Sequence, residues 1–179
     1  SSVSGQSVGL DSAQPAAIQN LKINAVSDTK VAADAVAVSV SAGVAIGGLG
    51  LTGGGAGIYS YLDGSVSSVI NGGNVVTDGL QMKATDTASI NAIGGAVAVG
   101  LGTAGASVGV TIVESKHQNS VNSVINGEVQ SGGDIVLESI AQPTLKSDAF
   151  ATSVAVGLVG SLAGAGAEAD SVMTGTTTA

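Results

Sequence analysis

His117, within Glu114-Ser-Lys-His-Gln-Asn119, is the one imidazole in a chain of 179 residues that has no Cys and no Trp. An imidazole can move a proton near neutral pH, but this one lies in the most polar stretch of its surroundings and reads as a solvated turn rather than a general base. Ser27-Asp28-Thr29-Lys30 fits the S-x-x-K pattern of an acylating serine without its S-D-N or K-T-G partners, and reads as an exposed loop after a strand. Gly48-Leu-Gly50-Leu-Thr-Gly53 and Gly100-Leu-Gly102-Thr-Ala-Gly105 both satisfy G-x-G-x-x-G. Neither opens a credible helix, and the first lacks the acidic residue about 20 positions on that a dinucleotide site uses. Gly47-Gly48-Leu-Gly50-Leu-Thr52 approaches the calcium-binding G-G-x-G-x-D nonapeptide, with Thr52 where the carboxylate belongs. No spacing of acids suggests the paired carboxylates of glycoside hydrolysis. The expectation is a chain without catalytic, cofactor-binding or metal-ligating residues, which is not an enzyme and needs no cofactor.

Composition narrows the partners. The formal charge is −8, from 13 acids and 5 basic residues, all of them Lys. Phosphate backbones are gripped by clustered Lys and Arg, so nucleic acid is excluded as a partner. The absence of Cys rules out a disulfide framework and a Cys-based zinc site, but fixes no compartment. The chain opens on Ser1 without a Met, a basic n-region or a cleavage site, so it reads as a processed product or an excised piece.

Hydropathy is high, with a mean of +0.48. No charge lies between Asp34 and Asp63, between Asp86 and Glu114, or between Asp148 and Glu168. The first two gaps exceed the roughly 20 residues of a spanning helix. Their period is 2 rather than 3.6, and they break into Gly-rich runs, so they read as strands. Insertion into a membrane is disfavoured, because no aromatic girdle or flanking Lys/Arg bias accompanies them.

The positions of these motifs follow from an internal repeat. Ser65-Val-Ser-Ser-Val-Ile-Asn71-Gly72 recurs as Ser120-Val-Asn-Ser-Val-Ile-Asn126-Gly127. A short alternating strand follows each copy, at Leu80–Ala84 and Ile135–Ser139, and a third version lies upstream at Leu21–Ala25. Small-residue tracts come next, at Ala35–Val38, Ala96–Val99 and Ser153–Val156. The chain thus divides as a single repeat domain, 1–179, in which 1–20 is the end of a preceding unit. Unit 1 is 21–79, unit 2 is 80–134, and unit 3, 135–179, is incomplete.

Alternation predicts Leu21, Ile23, Ala25, Leu80, Met82, Ala84, Ile135, Leu137 and Ser139 facing inward, with Lys22, Asn24, Gln81, Lys83 and Glu138 in water. Asn71 and Asn126 are expected in Asn-Gly turns, with Asn tolerating the left-handed conformation. In the Ala/Val tracts Val36, Val38 and Val40 oppose Ala35, Ala37 and Ser39, and neither face is charged; such strands are expected to be covered on both sides. The expected fold is all-β, an elongated parallel β-solenoid (β-helix) of 55–59-residue repeats. Two or three rungs per unit would give a span of roughly 30–45 Å at about 4.8 Å per rung. The alternative is a β-sandwich of Gly-linked hairpins, folding back at Gly53–Gly55 and Gly102–Gly105.

Tyr61-Leu-Asp-Gly-Ser-Val, Gly72-Gly-Asn-Val-Val and Leu80-Gln-Met-Lys-Ala-Thr, following an AVAVG-type tract, resemble the repeats of giant exported bacterial adhesins. These are the filamentous-haemagglutinin-like and leukotoxin-type filamentous adhesins, and the likeness covers most of 21–175. It implies a secreted or cell-surface β-helical stalk, and no catalytic residue to carry over. The expected function is a non-catalytic structural repeat of an extracellular bacterial fibre or adhesin, serving surface attachment or matrix building. In one version its open β ends join head to tail. Expected partners are further copies or neighbouring repeats of the same chain, and a host or matrix surface. The alternative is a membrane-active, toxin-like module that inserts its charge-free Ala/Val/Gly tracts. A carbohydrate-acting β-helix enzyme is a third reading, weakened because polysaccharide lyases of that shape add Arg or Lys clusters.

Overall fold

Val-rich alternation with no Pro inside any tract favours extended chain, and every element of the described structure is a strand. The structure is a computed structural model, and it describes residues 3–4, 19–43 and 49–179. In chain order the strands are β1 (Val3–Ser4), β2 (Leu21–Ser27), β3 (Lys30–Ala42) and β4 (Leu49–Thr77). They continue with β5 (Leu80–Asp86), β6 (Ser89–Ser131), β7 (Ile135–Ala141) and β8 (Thr144–Thr178). All pairing among the described residues is parallel. The hairpins of the sandwich alternative, which need antiparallel pairing, are therefore not found among them.

The register is that of the sequence repeat. Leu21 pairs with Leu80 and Leu80 with Ile135. Further along, Lys30 pairs with Ser89 and Ser89 with Thr144. β3 and β4 both run beside β6, which has β8 on its other side. Each unit therefore contributes one strand, not two or three, at each place in a sheet. Three units stacked at about 4.8 Å give a depth nearer 10 Å than the 30–45 Å expected. β1 lies next to β4, with Val3 beside Ile70.

β6 is continuous in its hydrogen bonding but reverses in space. Its register shifts between Gly102 and Ala104, and residues on either side of that point face one another: Ala92 packs with Val113, and Thr111 Oγ1 donates to the Phe150 carbonyl, 2.7 Å away, on the opposite layer. Each unit is thus an arch whose outgoing and returning arms lie face to face. The fold-back at Gly102–Gly105 is present, as an arch rather than a hairpin. Gly53–Gly55 makes no such turn; it runs straight inside β4 against Val108–Val110.

The gap between the arms tapers. At the base, Ile23, Ile70, Leu80 and Met82 form an aliphatic cluster with Ile125 and Val129 against it. Burying a side chain of this size stabilises by about 1.5–3 kcal/mol. Further out come Ala25, Val66, Ala84 and Val121, and near the tip the buried residues are Ala96, Ala98 and Ser107. At the tip the backbones nearly touch: a Cβ on Gly100 would stand 2.7 Å from the Ala106 carbonyl oxygen.

This taper reverses one expectation. The flat Ala/Ser face is inside, against the other arm, and the branched face is outside and uncovered, with Val36, Val38 and Val40 all about two-thirds exposed. Of the inward set, Ile23, Ala25, Leu80, Met82 and Ala84 are buried, whereas Ile135, in the last unit, is 46% exposed. The Asn-Gly turns also differ. Among the described residues no non-glycine has positive φ, and Gly72 (φ 73°) and Gly73 (φ 81°) take the left-handed conformation instead. Asn71 and Asn126 remain extended as register partners, and the ladder slips between Asn71 and Asn74.

Candidate functional site at the kink of unit 2

Each outgoing arm breaks briefly before its long strand, at 28–29, 87–88 and 142–143. In unit 2 the last residue before the break is Asp86, fully buried. The returning arm brings His117 and Asn119 opposite it. His117 Nε2 lies 3.1 Å from Asp86 Oδ2, and Asn119 Nδ2 donates to the same oxygen at 2.6 Å. The Ala88 amide donates to Oδ1 at 3.3 Å, closing the short turn. A buried carboxylate without such donors would be costly; here both oxygens are engaged.

His117 is therefore not in a solvated turn. It is 2% exposed, and its polar neighbours in sequence concealed a side chain that alternation turns inward. Its Nδ1 is buried and has no hydrogen-bond partner. Nε2 thus faces the carboxylate while Nδ1 points into the packed interior. Beside the cluster is a cavity of about 100 Å³, lined by Ser27, Thr29, Asp63, Ser65, Asp86 and His117 among others. Through Asp86, His117 and Asn119 the outgoing and returning arms are hydrogen-bonded to one another across the kink.

Asp86 was not singled out by sequence, although a signal existed. In register, His117 stands where the other units have Leu62 and Met173, Asp86 where they have Ser27 and Ala141, and Asn119 where they have Gly64 and Gly175. Three polar replacements confined to one unit mark residues that meet.

The other motifs lie apart from this cluster, Ser27 and Thr29 at the cavity excepted. Lys30 turns away to Asp28, at 3.9 Å on the exposed surface. Gly100–Gly105 forms the arch tip. Gly47 and Gly48, which begin the calcium-like and first nucleotide-like patterns, lie outside the described residues. Among the described residues no three His, Asp or Glu side chains are grouped to hold a metal.

A second polar group sits on the outer face of the returning arms. Tyr59 and Tyr61 are 71% and 58% exposed, and Lys116 Nζ lies 5.9 Å from the Tyr61 ring centroid. The Tyr61 phenol is raised above its ordinary 10.0, first by local desolvation despite the exposed ring, then by the Asp63 charge and its hydrogen bond. Comparison with known proteins gave no match to this chain among family models, curated proteins or solved structures.

Proposed function

We propose that the chain is a non-catalytic stacking segment of an elongated parallel β-solenoid, working as a structural repeat of an extracellular bacterial fibre or adhesin. The observation that carries this reading is the register: Leu21, Leu80 and Ile135 stand side by side one sequence repeat apart, so each unit is a template for the next. The far edge of β8 continues that template, and 158–171 lies fully exposed along it. An uncovered edge of this length pairs with whatever strand fits it, and the best-fitting strand is another unit of the same kind, in the same chain or in a second copy. The adhesin assignment rests on the resemblance of Tyr61–Thr85 to exported filamentous adhesins.

Sedimentation across a wide concentration range tests the reading. Mass should grow with concentration, and Ser153→Pro with Ala165→Pro, which remove edge donors from β8, should stop the growth. A stable monomer at millimolar concentration would overturn it.

A further inference from the structure

The outer surface of the arch is apolar where a water-facing sheet is ordinarily polar. On the outgoing layer Val38, Val97 and Val154 face outward, and on the returning layer Leu51, Val110 and Leu162 do so, each at least partly exposed. The tip joining the two layers is apolar as well: Leu158 is 92% and Val159 83% exposed. The apolar surface is thus a blade with two faces and an edge. A partner protein or a second copy laid on one face would leave the other face and the edge in water. A surrounding medium covers all three.

The blade has a defined depth. On the outgoing layer the nearest charges to the tip are Asp34 and Asp148, flanking Ile93 in register. On the returning layer they are Glu114 and Glu168. About nine residues separate Ile93 from Gly102, and about nine separate Gly105 from Glu114. At roughly 3.3 Å per residue each arm is about 30 Å long, comparable to the hydrocarbon thickness of a bilayer, about 30 Å. Tyr59 and Tyr61 stand at the charged boundary, where amphipathic rings settle in the headgroup layer.

We propose that the blade inserts into a lipid bilayer, with the tip at Leu158 in hydrocarbon and the Tyr59–Tyr61 level at the headgroups. Its narrow Ala/Gly interior is what lets it be thin. Hydrocarbon tolerates no unpaired backbone, and β6 meets that condition with a strand on each side. Among the described residues β8 has no strand on its far side and β1 covers β4 only at Ile70–Asn71; such edges meet the condition when another unit covers them, so the inference rests on the stacked reading above. The boundary is acidic, with Asp34, Asp148, Glu114, Glu168 and Asp170 against Lys116 and Lys146, which favours a zwitterionic membrane over an anionic one.

The chain has no Trp, so Leu158→Trp supplies a single reporter at the tip and Gln118→Trp one on the exposed base. With phosphatidylcholine vesicles, the tip reporter should shift its emission to the blue and be quenched by brominated acyl chains, while the base reporter should do neither. Val38→Asp with Val110→Asp, outward on opposite faces, should lower vesicle co-sedimentation at least tenfold with the β-sheet circular dichroism unchanged. An unshifted tip reporter in a protein that still stacks by sedimentation overturns insertion and leaves the stacking reading intact. A blue-shifted tip without lipid, growing with concentration, overturns it in favour of a second copy. A protein that neither stacks nor shifts loses both readings.

Discussion

Asp86 and His117, 3.1 Å apart and both buried, are joined across the arch of one unit at a place where its neighbours carry Ser27 and Leu62, or Ala141 and Met173. The pair is a local exchange of apolar packing for a buried polar lock. Its stability consequences differ sharply between removing one partner and removing all.

His117→Leu leaves the Asp86 carboxylate short of a donor in a sealed site and should destabilise the fold by about 3–5 kcal/mol in urea unfolding. Combining Asp86→Ser, His117→Leu and Asn119→Gly, which copies unit 1, should recover most of that loss. A triple variant as unstable as the single one would show that the cluster does more than lock the arms.

Substitution at the arch tip should depend on which way the glycine faces. Gly100→Val places its Cβ against the Ala106 and Gly50 carbonyl oxygens, 2.7 and 3.1 Å away, and should cost about 1–3 kcal/mol by overpacking. Gly53→Ala meets nothing within 4 Å and should be neutral or stabilise by about 0.5 kcal/mol. Thermal unfolding of the two variants side by side checks the direction of the arm.

The Tyr61 phenol can be followed in an ultraviolet pH titration of a Tyr59→Phe background. Tyr61 is raised above 10.0 by desolvation and by Asp63, so Asp63→Asn should lower its midpoint part of the way, leaving the share due to desolvation. A midpoint that does not move would place the Asp63 carboxylate away from the phenol.

Met82, with none of its surface exposed, sits between Ile23, Ile70 and Leu80 at the wide end of the arch. Met82→Ala should cost about 2–5 kcal/mol. Ala98, equally buried but near the tip, has no side-chain volume to lose, so Ala98→Gly should cost about 0.5–1 kcal/mol. The contrast measures how far stability is concentrated at the base.

Much of this architecture is legible in the sequence. The alternation at Leu80–Ala84 gives both a strand and its buried face, because only one of its faces is apolar. The Ala/Val tracts are different: at Ala96–Val99 neither face carries charge, so a period of two separates the faces without saying which is inside. Packing decides it, because two arms approach more closely through Ala96 and Ala98 than through Val97 and Val99. Unit length does not give the number of strands per unit, because a 43-residue strand that doubles back leaves no mark in it. The burial of His117 is hidden for a related reason. Its neighbours Lys116 and Gln118 are outward by alternation, and their polarity says nothing about the residue between them.

The units differ in length, and the register shows where the difference goes. Ala42 pairs with Leu101 and Leu49 with Ala104, so unit 1 has more residues between those two positions than unit 2 has; unit 3 has one more between Gly157 and Gly160. Two smaller slips of opposite sign fall at Gly72–Gly73 and between Thr77 and Leu80, where Ser131 to Ile135 is one residue longer. The arms themselves keep step residue for residue. Such an array can absorb insertions at its outermost rim while its pitch stays constant, so the rim is the natural place to graft a foreign peptide or label without disturbing the stack.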